Sequence, residues 1–456
     1  MCRRKATGSY VPGFGTSVFV SDVAPASRRQ LPSIQRRRQD AGVLAQALFL
    51  ILLWLALCAQ AGSAGTLLRA PNWVGSWATS EQAPEAPNAL AVGDLRDATL
   101  RQVVHLSIGG RVVRVRFSNA FGTGPLHFAS VHIARPASAA SPQIKIATDR
   151  ALTFSGCPDV TIPAGAEYVS DPVVFMVAPQ SDLAITFHLD ESPSGETSHP
   201  GSRATSYLAH GDHVADADLP GAMKFDHWFN IAGVDVIAPR RAAAIVALGD
   251  SITDGHASTT NGNDRWPDDL ARRLLAARPA RPLGVLNEGI GGNRLLLDGL
   301  GPNALARFDR DVLAQPGVRY LIVQEGINDI GTFGQLGGQP ESAHEALVHG
   351  IIEAYEQIVL RAHAHGIRVL GGTLTPFVGS TYYKPGPLSE ADRQAVNRWI
   401  RAPGHFDAVV DFDKALRDRA RPEELPPAYD SGDHLHPSPA GYRAMAAAIP
   451  LLDFAQ

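Results

Sequence analysis

The sequence predicts two folded regions, an all-β sandwich of the jelly-roll type over residues 65–240 and an α/β domain with a parallel sheet over residues 241–456. Short runs that alternate apolar and polar residues, separated by clusters of Pro, Gly and Ser, are typical of the first fold. In the second region, continuous apolar runs alternate with amphipathic helical stretches, as in a parallel sheet covered on both faces. The length of 456 residues agrees with two domains.

The composition is that of a globular protein. The chain is 45% hydrophobic and 19% charged, which excludes a wholly disordered chain, a multi-pass membrane protein and a collagen-like fibre. The formal net charge is −4, but residues 1–61 are rich in arginine and hold only two acidic residues, so the rest of the chain is distinctly acidic. Because such a surface does not attract a phosphate backbone, we expect no nucleic acid partner.

Residues 1–64 are predicted to be an N-terminal extension with an export signal. Three arginines, Arg36–Arg38, precede an uncharged apolar run over residues 41–57, and small residues follow it. This order is typical of a secretory signal, with cleavage expected after Ala61 or Ala64. The predicted location is therefore secreted or periplasmic, without stable membrane insertion after cleavage. The alternative is an uncleaved anchor, because the run is near the short end of a spanning helix.

The first region contains several strand-like runs. Residues Gln102–Ile108 and Val112–Phe117 are two of them, and Gly109-Gly110 between them predicts a two-residue hairpin turn. Residues Leu183–Leu189 alternate in the same way. The order of the strands in the sandwich stays open at this stage.

The second region is a series of buried strands and helices. Residues Glu345–His365 have the apolar spacing of an amphipathic helix. In a sheet of this kind, reactive groups lie at the carboxyl ends of the strands. The predicted strands are Ala242–Leu248, Leu283–Leu286, Tyr320–Val323, Ile367–Leu370 and Ala408–Val410.

A serine follows the first of these strands directly, in Gly249-Asp250-Ser251. At such a turn its hydroxyl is exposed, and its backbone N–H can point toward the oxyanion that forms when the hydroxyl attacks a carbonyl. The alternative is an ordinary helix N-cap serine.

Two further blocks follow the next two strands. A glycine-rich segment runs from Asn287 to Asn293, and glycine lets a backbone N–H approach a substrate oxygen closely. Asn328, in Gly326-Ile327-Asn328, offers a side-chain amide as a second neutral donor. Taken alone, the first block is also a turn and the second an Asx turn.

Near the carboxyl end, Asp433 and His436 lie three residues apart. At this spacing the carboxylate can hold the imidazole in one tautomer, so that the histidine takes a proton from a serine and later returns it. The alternative, a metal site of Asp433, His434 and His436, lacks an accompanying ligand cluster.

Residues 241–456 resemble an SGNH (GDSL-type) hydrolase, because all four blocks occur in the order of that family. The resemblance implies a three-layer, flavodoxin-like fold in which Ser251 is the nucleophile, His436 the base and Asp433 its orienting partner. It also implies an oxyanion hole of the Ser251 and Gly292 N–H groups and the Asn328 amide; Gly292 fits the family spacing better than Gly289 or Gly291.

An export leader is followed by a β-sandwich that starts near Asn72-Trp73-Val74-Gly75-Ser76-Trp77 and then by the second domain. With this order, nearly the whole mature chain resembles exported esterases of xylan-degrading systems. This resemblance implies an exported serine esterase that removes acetyl or other small acyl groups from carbohydrate, without cofactor or metal; the oligomeric state stays open. Trp266, soon after the serine block, is a candidate for the substrate pocket, or equally a core aromatic. The alternatives are a lipase, arylesterase or thioesterase, and a non-catalytic carbohydrate-binding protein.

Overall fold

In the computed structural model, which describes residues 70–91, 93–278 and 281–454, antiparallel sheets fill the chain up to Ile237. Their strands are β1 Trp73–Ala78, β2 Ala98–Leu106, β3 Gly110–Ser118, β4 Leu126–Phe128, β5 Ser130–Ala134, β6 Arg150–Ala151, β7 Val160–Ile162, β8 Glu167–Val169, β9 Val173–Val177, β10 Ser181–Leu189, β11 Ser198–Pro200, β12 Ser206–His210, β13 Met223–Phe225, β14 His227–Phe229 and β15 Ile231–Ile237. The predicted export signal of residues 1–64, with Ala61 and Ala64, lies outside the described residues. Within the described ranges, no helix combines the length and the apolar character that crossing a membrane requires.

Two larger sheets form the sandwich. One has the strand order β1-β15-β3-β8, with β9 also paired to β3, and the other has the order β13-β12-β2-β10-β5-β6. Phe117 on the first sheet and Phe187 on the second are fully buried, and both contact Phe128, at ring-centroid distances of 5.2 and 4.8 Å. Aromatic side chains from two sheets therefore share one core, as the predicted all-β sandwich requires.

The predicted hairpin at Gly109-Gly110 is wrong. Strand β2 pairs with β10 and β12, whereas β3 pairs with β15, β8 and β9, so the turn carries the chain from one sheet to the other. Gly109 is needed there for a close approach, because a Cβ on it would lie 2.6 Å from the backbone oxygen of Val177. The two strands were predicted in the right places, but their partners lie far along the chain.

The second half is a parallel sheet between helices. Its strands are β16 Ala243–Gly249, β17 Leu283–Gly289, β18 Val318–Gln324, β19 Arg368–Gly372 and β20 Ala408–Val410, in the order β17-β16-β18-β19-β20. This is the flavodoxin-like order, so the predicted fold class is confirmed. The α-helices are α1 Ser251–Asp254, α2 Trp266–Ala277, α3 Ala304–Phe308, α4 Ile327–Gln335, α5 Glu341–Ala364, α6 Pro387–Arg401, α7 Phe412–Leu416 and α8 Pro439–Ala448.

The long helix α5 illustrates why the apolar spacing was informative. Ile351, Tyr355, Ile358 and Ala362 recur at helical intervals, and all four are fully buried. Helix α5 begins four residues earlier than the predicted range of 345–365. Such a stripe packs the helix on the sheet and leaves its other side in water.

The sandwich and the parallel sheet meet along β1 and β17. Gly75 and Gly284 allow the close approach, because a Cβ on Gly284 would lie 2.2 Å from the backbone oxygen of Gly75. Buried side chains of both sheets belong to one hydrophobic core, and the chain from Asn72 onward forms one compact unit. The division into residues 65–240 and 241–456, which falls between β15 and β16, stays a proposal.

Candidate active site

Three side chains form a hydrogen-bonded chain at the carboxyl edge of the parallel sheet. The Ser251 hydroxyl donates to Nε2 of His436 at 2.8 Å, and Nδ1 of His436 donates to a carboxylate oxygen of Asp433 at 2.6 Å. Ser251 and His436 are buried, at 7% and 4% exposure. This order of hydroxyl, imidazole and carboxylate is the arrangement that activates a serine nucleophile.

A sharp turn after β16 presents Ser251. Asp250 is the N-cap of α1, since its side chain accepts from the backbone N–H of Ile252 at 2.9 Å. Ser251 therefore occupies the first helical position and not the N-cap, which was the alternative interpretation. Its hydroxyl contacts His436 instead of capping the helix. Complete burial raises the pKa of Asp250 to about 7, against the lowering by its backbone hydrogen bond.

The loop before α8 fixes the imidazole. Ser438 caps α8 by accepting from the N–H of Gly441, and Pro439 takes the first helical position, as such a sequence favours. Asp433 accepts from the backbone N–H groups of Leu435 and His436 as well as from the His436 ring. Partial burial would raise the pKa of Asp433, but these hydrogen bonds and the histidine charge hold it far below its usual value. The orienting carboxylate is therefore ionised.

Gly292 and Asn328 line the same cleft as Ser251. Gly292 has a φ of +73°, a backbone conformation that favours glycine, and its nearest neighbour across the turn is the exposed side chain of Leu300. The Asn328 amide nitrogen donates to the backbone oxygen of Asn293 at 2.8 Å, and its oxygen accepts from the Tyr383 hydroxyl at 2.7 Å. Both ends of the amide are thus held, which leaves one N–H for the cleft. Gly291 also lines the cleft, so it remains an alternative to Gly292.

Buried polar groups support this edge of the sheet. The Arg307 guanidinium donates to the backbone oxygens of Gly249 and Glu288, at the ends of β16 and β17, and to the side chain of Asn293. Asp329 accepts from the N–H groups of Leu295 and Leu296, which ties the loop after the glycine block to α4. The serine turn, the glycine loop and Asn328 are therefore held in one rigid frame.

The cleft has a volume of about 470 Å³ and two different walls. On the parallel-sheet side, Leu300, Leu435, Tyr382 and Tyr383 line it. The opposite wall comes from the antiparallel region and is polar: Gln82, Glu85, Asn88, Arg203, Asp226 and His227. A ligand in this cleft contacts both halves of the chain.

The polar wall is bonded to the loop that follows Ser251. His199 contacts a carboxylate oxygen of Asp254 through Nε2 at 2.9 Å and the backbone oxygen of Ser80 through Nδ1 at 2.7 Å. The Arg265 side chain donates to the backbone oxygen of Ser202, and Asn261 exchanges two hydrogen bonds with Thr205. The antiparallel region thus forms a fixed part of the cleft.

His256, which the sequence analysis did not single out, lies directly against His436. The two ring centroids are 4.1 Å apart, and Nε2 of His256 is 4.0 Å from the Asp433 oxygen that binds His436. The pKa of His256 is lowered to about 4, first by burial and then by the nearby His436 and Arg203 charges, against Asp433 and Asp254. Its ring is therefore neutral near pH 7.

His256, Asp433 and His436 also have ligand atoms within 4.8 Å of one another. However, Arg203 donates to Nδ1 of His256 at 2.8 Å, so Nε2 must carry the hydrogen and has no lone pair for a metal. The Asp433 oxygen nearest to it is engaged with His436. His434, a member of the metal site considered from the sequence, is about half exposed and pairs with Asp430 instead. The residues in this cluster therefore do not fit a metal ion.

Trp266 does not line the cleft. It is fully buried at the start of α2, and its ring lies 5.6 Å from that of Phe412. This corrects the prediction of a substrate-pocket residue in favour of the core alternative. The indole packs in the hydrophobic core at the first position of α2.

Residues 247–444 match the family model described as GDSL-like lipase/acylhydrolase. This match and the parallel-sheet fold indicate a carboxylic ester hydrolase. No curated protein matches the chain significantly.

Solved structures are similar to somewhat less than half of the chain. A GDSL-like lipase from Bacteroides thetaiotaomicron has 18% identity over 46% of this chain and 87% of its own, with a TM-score of 0.34. The acetylxylan esterase Axe2 from Geobacillus stearothermophilus has 22% identity over 46% of this chain and 94% of its own, with a TM-score of 0.35.

Proposed function

We propose that the protein is an exported serine esterase that removes small acyl groups, above all acetyl, from carbohydrate. The observation that carries the proposal is the chain of hydrogen bonds from Ser251 through His436 to Asp433 at the floor of the cleft. Export rests on the arginine-led apolar run over residues 41–57.

The mechanism follows from this geometry. His436 takes the Ser251 proton through Nε2 while the serine oxygen attacks the ester carbonyl, and the resulting oxyanion accepts hydrogen bonds from the N–H groups of Ser251 and Gly292 and from the Asn328 amide. The imidazolium then protonates the leaving alcohol, and the acyl group stays on Ser251. Water, activated by the same histidine, attacks the acyl-enzyme, releases the carboxylic acid and restores the serine.

The two walls of the cleft support a polar alcohol and a short acyl group. Gln82, Asn88 and Asp226 offer donors and acceptors for hydroxyl groups on one side. On the other side Tyr382 and Leu300 provide an apolar surface for the acyl group. An ester of a sugar matches this combination better than one of a long aliphatic alcohol.

A second candidate is a lipase or arylesterase. Leu297 and Leu300, in the loop after the glycine block, are 61% and 43% exposed. Leu300 lines the cleft, where an exposed leucine is suited to contact with a longer acyl chain.

We expect initial rates on 4-nitrophenyl esters to fall steeply from acetate to palmitate, as an esterase for small acyl groups requires. Acetate release from acetylated xylan should accompany hydrolysis of the acetate ester. Initial rates on the ester series and acetate assays on xylan measure this, with Ser251→Ala as the blank.

Each outcome discriminates between the candidates. A preference for long chains would move the assignment to the lipase or arylesterase. Cleavage of 4-nitrophenyl acetate without any acetate release from xylan would remove the carbohydrate substrate but keep the esterase. The absence of turnover that depends on Ser251 would leave a non-catalytic carbohydrate-binding protein.

Replacement of Asn328 by alanine is expected to lower kcat about 100- to 1,000-fold, the usual cost of one oxyanion donor. KM should change little, since the amide bonds the oxyanion rather than the ground-state ester. Steady-state kinetics on 4-nitrophenyl acetate measure both values.

A substitution at Tyr383 gives a second variant, for which a smaller loss of kcat is expected. Tyr383→Phe keeps the ring but removes the bond that orients the Asn328 amide, so we expect an intermediate loss of kcat. Tyr168→Phe, on an exposed strand of the sandwich, is the matched control. An Asn328→Ala enzyme with near-normal kcat and an unchanged melting temperature would exclude Asn328 from the oxyanion hole.

A further inference from the structure

We propose that Arg203, supplied by the antiparallel region, is a positioning residue of the hydrolytic site that keeps the His256 ring beside His436 uncharged. The inference rests on the proposed function, because it assigns His436 the role of base. It also gives the antiparallel region a direct part in the chemistry.

The first step is the tautomer of His256. An arginine side chain can only donate, so the 2.8 Å contact of Arg203 Nη2 with Nδ1 of His256 requires an unprotonated Nδ1. The hydrogen then resides on Nε2, which faces Asp433. A second proton on His256 has no place while this bond exists.

The second step is the position of Arg203 itself. It lies between β11 and β12 with a φ of +52°, an unfavourable conformation for a residue with a side chain. Its backbone oxygen accepts from the N–H of Asn261 at 2.8 Å, while Arg265 holds the preceding residue. Residues of the parallel-sheet region thus fix the loop between β11 and β12. This holds the Arg203 guanidinium in one position beside His256.

The third step is the consequence for catalysis. His436 becomes an imidazolium when it takes the Ser251 proton, and a charged ring 4.1 Å away would oppose that step. A doubly protonated His256 would also compete for the Asp433 carboxylate, 4.0 Å from its Nε2. The groups that face His256 are His436, Asp433, Asp254 and Arg203, with Tyr382 edge-on to the ring. Among these groups, Arg203 is the one that donates a hydrogen bond to Nδ1 and so prevents protonation of that nitrogen.

The pH dependence of an Arg203 variant tests the proposal. Without the guanidinium the pKa of His256 should rise above its value of about 4, while burial and the His436 charge still act on the ring. The wild-type to Arg203→Ala ratio of kcat/KM should therefore be about twofold or more larger near pH 5 than near pH 8.5. Arg203→Gln, which keeps a donor, should show a smaller change, and Arg150→Ala, an exposed arginine of the sandwich, is the matched control.

A second substitution separates charge from structure. In a His256→Gln background the ring that takes the proton is gone, so Arg203→Ala should then lower kcat/KM by the same factor at both pH values. A defect of Arg203→Ala that is equal at both pH values in the His256 enzyme would mean a purely structural role and would overturn the proposal. The same conclusion would follow if the His256→Gln background left the pH-dependent defect in place.

A measurement that does not require turnover separates the test of this inference from the test of the esterase activity. The ring nitrogen signals of His256 in ¹⁵N-histidine NMR, assigned by their loss in His256→Gln, should show an unprotonated Nδ1 at pH 5.5. In Arg203→Ala the same ring should take up its second proton at a higher pH than in the wild type, and at Nδ1. If the spectra behave in this way but no ester is cleaved, the proposed function fails while the effect of Arg203 on His256 stands. A His256 that titrates identically with and without Arg203 would overturn the inference itself.

Discussion

Substitution of Ser251 or His436 by alanine is expected to lower kcat about a million-fold, and the double variant should be no slower than either single one. The reason is that the two side chains share one proton through a 2.8 Å hydrogen bond, so neither can act without the other. Single-turnover and steady-state rates on 4-nitrophenyl acetate, the simplest ester of the series, measure the loss. A slow residual rate from the oxyanion donors should remain in all three variants.

His434→Asn is the matched control for this pair. It removes an imidazole two residues from His436, but one that is half exposed and pairs with Asp430, and asparagine tolerates the positive φ of 60° at this position. A control enzyme with wild-type kcat, beside an inactive His436→Ala enzyme with an unchanged melting temperature, would assign the base. Strictly additive effects in the double variant would argue against a shared proton.

The elements that the sequence predicted best are those whose signal is local. Each of the five buried strands appears close to its apolar run, because a strand covered on both faces needs consecutive apolar residues. The polar residues that follow them, such as Ser251 and Asn328, then had to meet at one edge of the sheet. Asp433 and His436 were found for a similar reason, since three residues of loop are enough to set their contact.

The features that were missed depend on contacts far apart in the chain. Strands β2 and β3 are neighbours in sequence, yet the residues with which they pair lie 49 to 123 positions away, and nothing in a Gly-Gly turn reveals that choice. His256 follows Ser251 by five positions, but its significance depends on Arg203, 53 residues earlier. Trp266 had two equally good interpretations, because an indole fills a core as readily as a pocket.

Asp433→Asn should lower kcat about 10,000-fold while leaving the fold intact, which makes it the most informative single change at this site. The amide can present its N–H₂ group to Nδ1 of His436, and the ring then holds its hydrogen on Nε2, where it cannot accept the Ser251 proton. Because the pKa of Asp433 lies below its usual value, its negative charge, and any stability that it contributes, is present at neutral pH and is lost only in strong acid. Asp430→Asn is the control, since asparagine can still accept from Gly432 and His434 in the same loop. If Asp433→Asn retained more than about a tenth of the wild-type kcat near pH 7, the carboxylate would not be what orients His436.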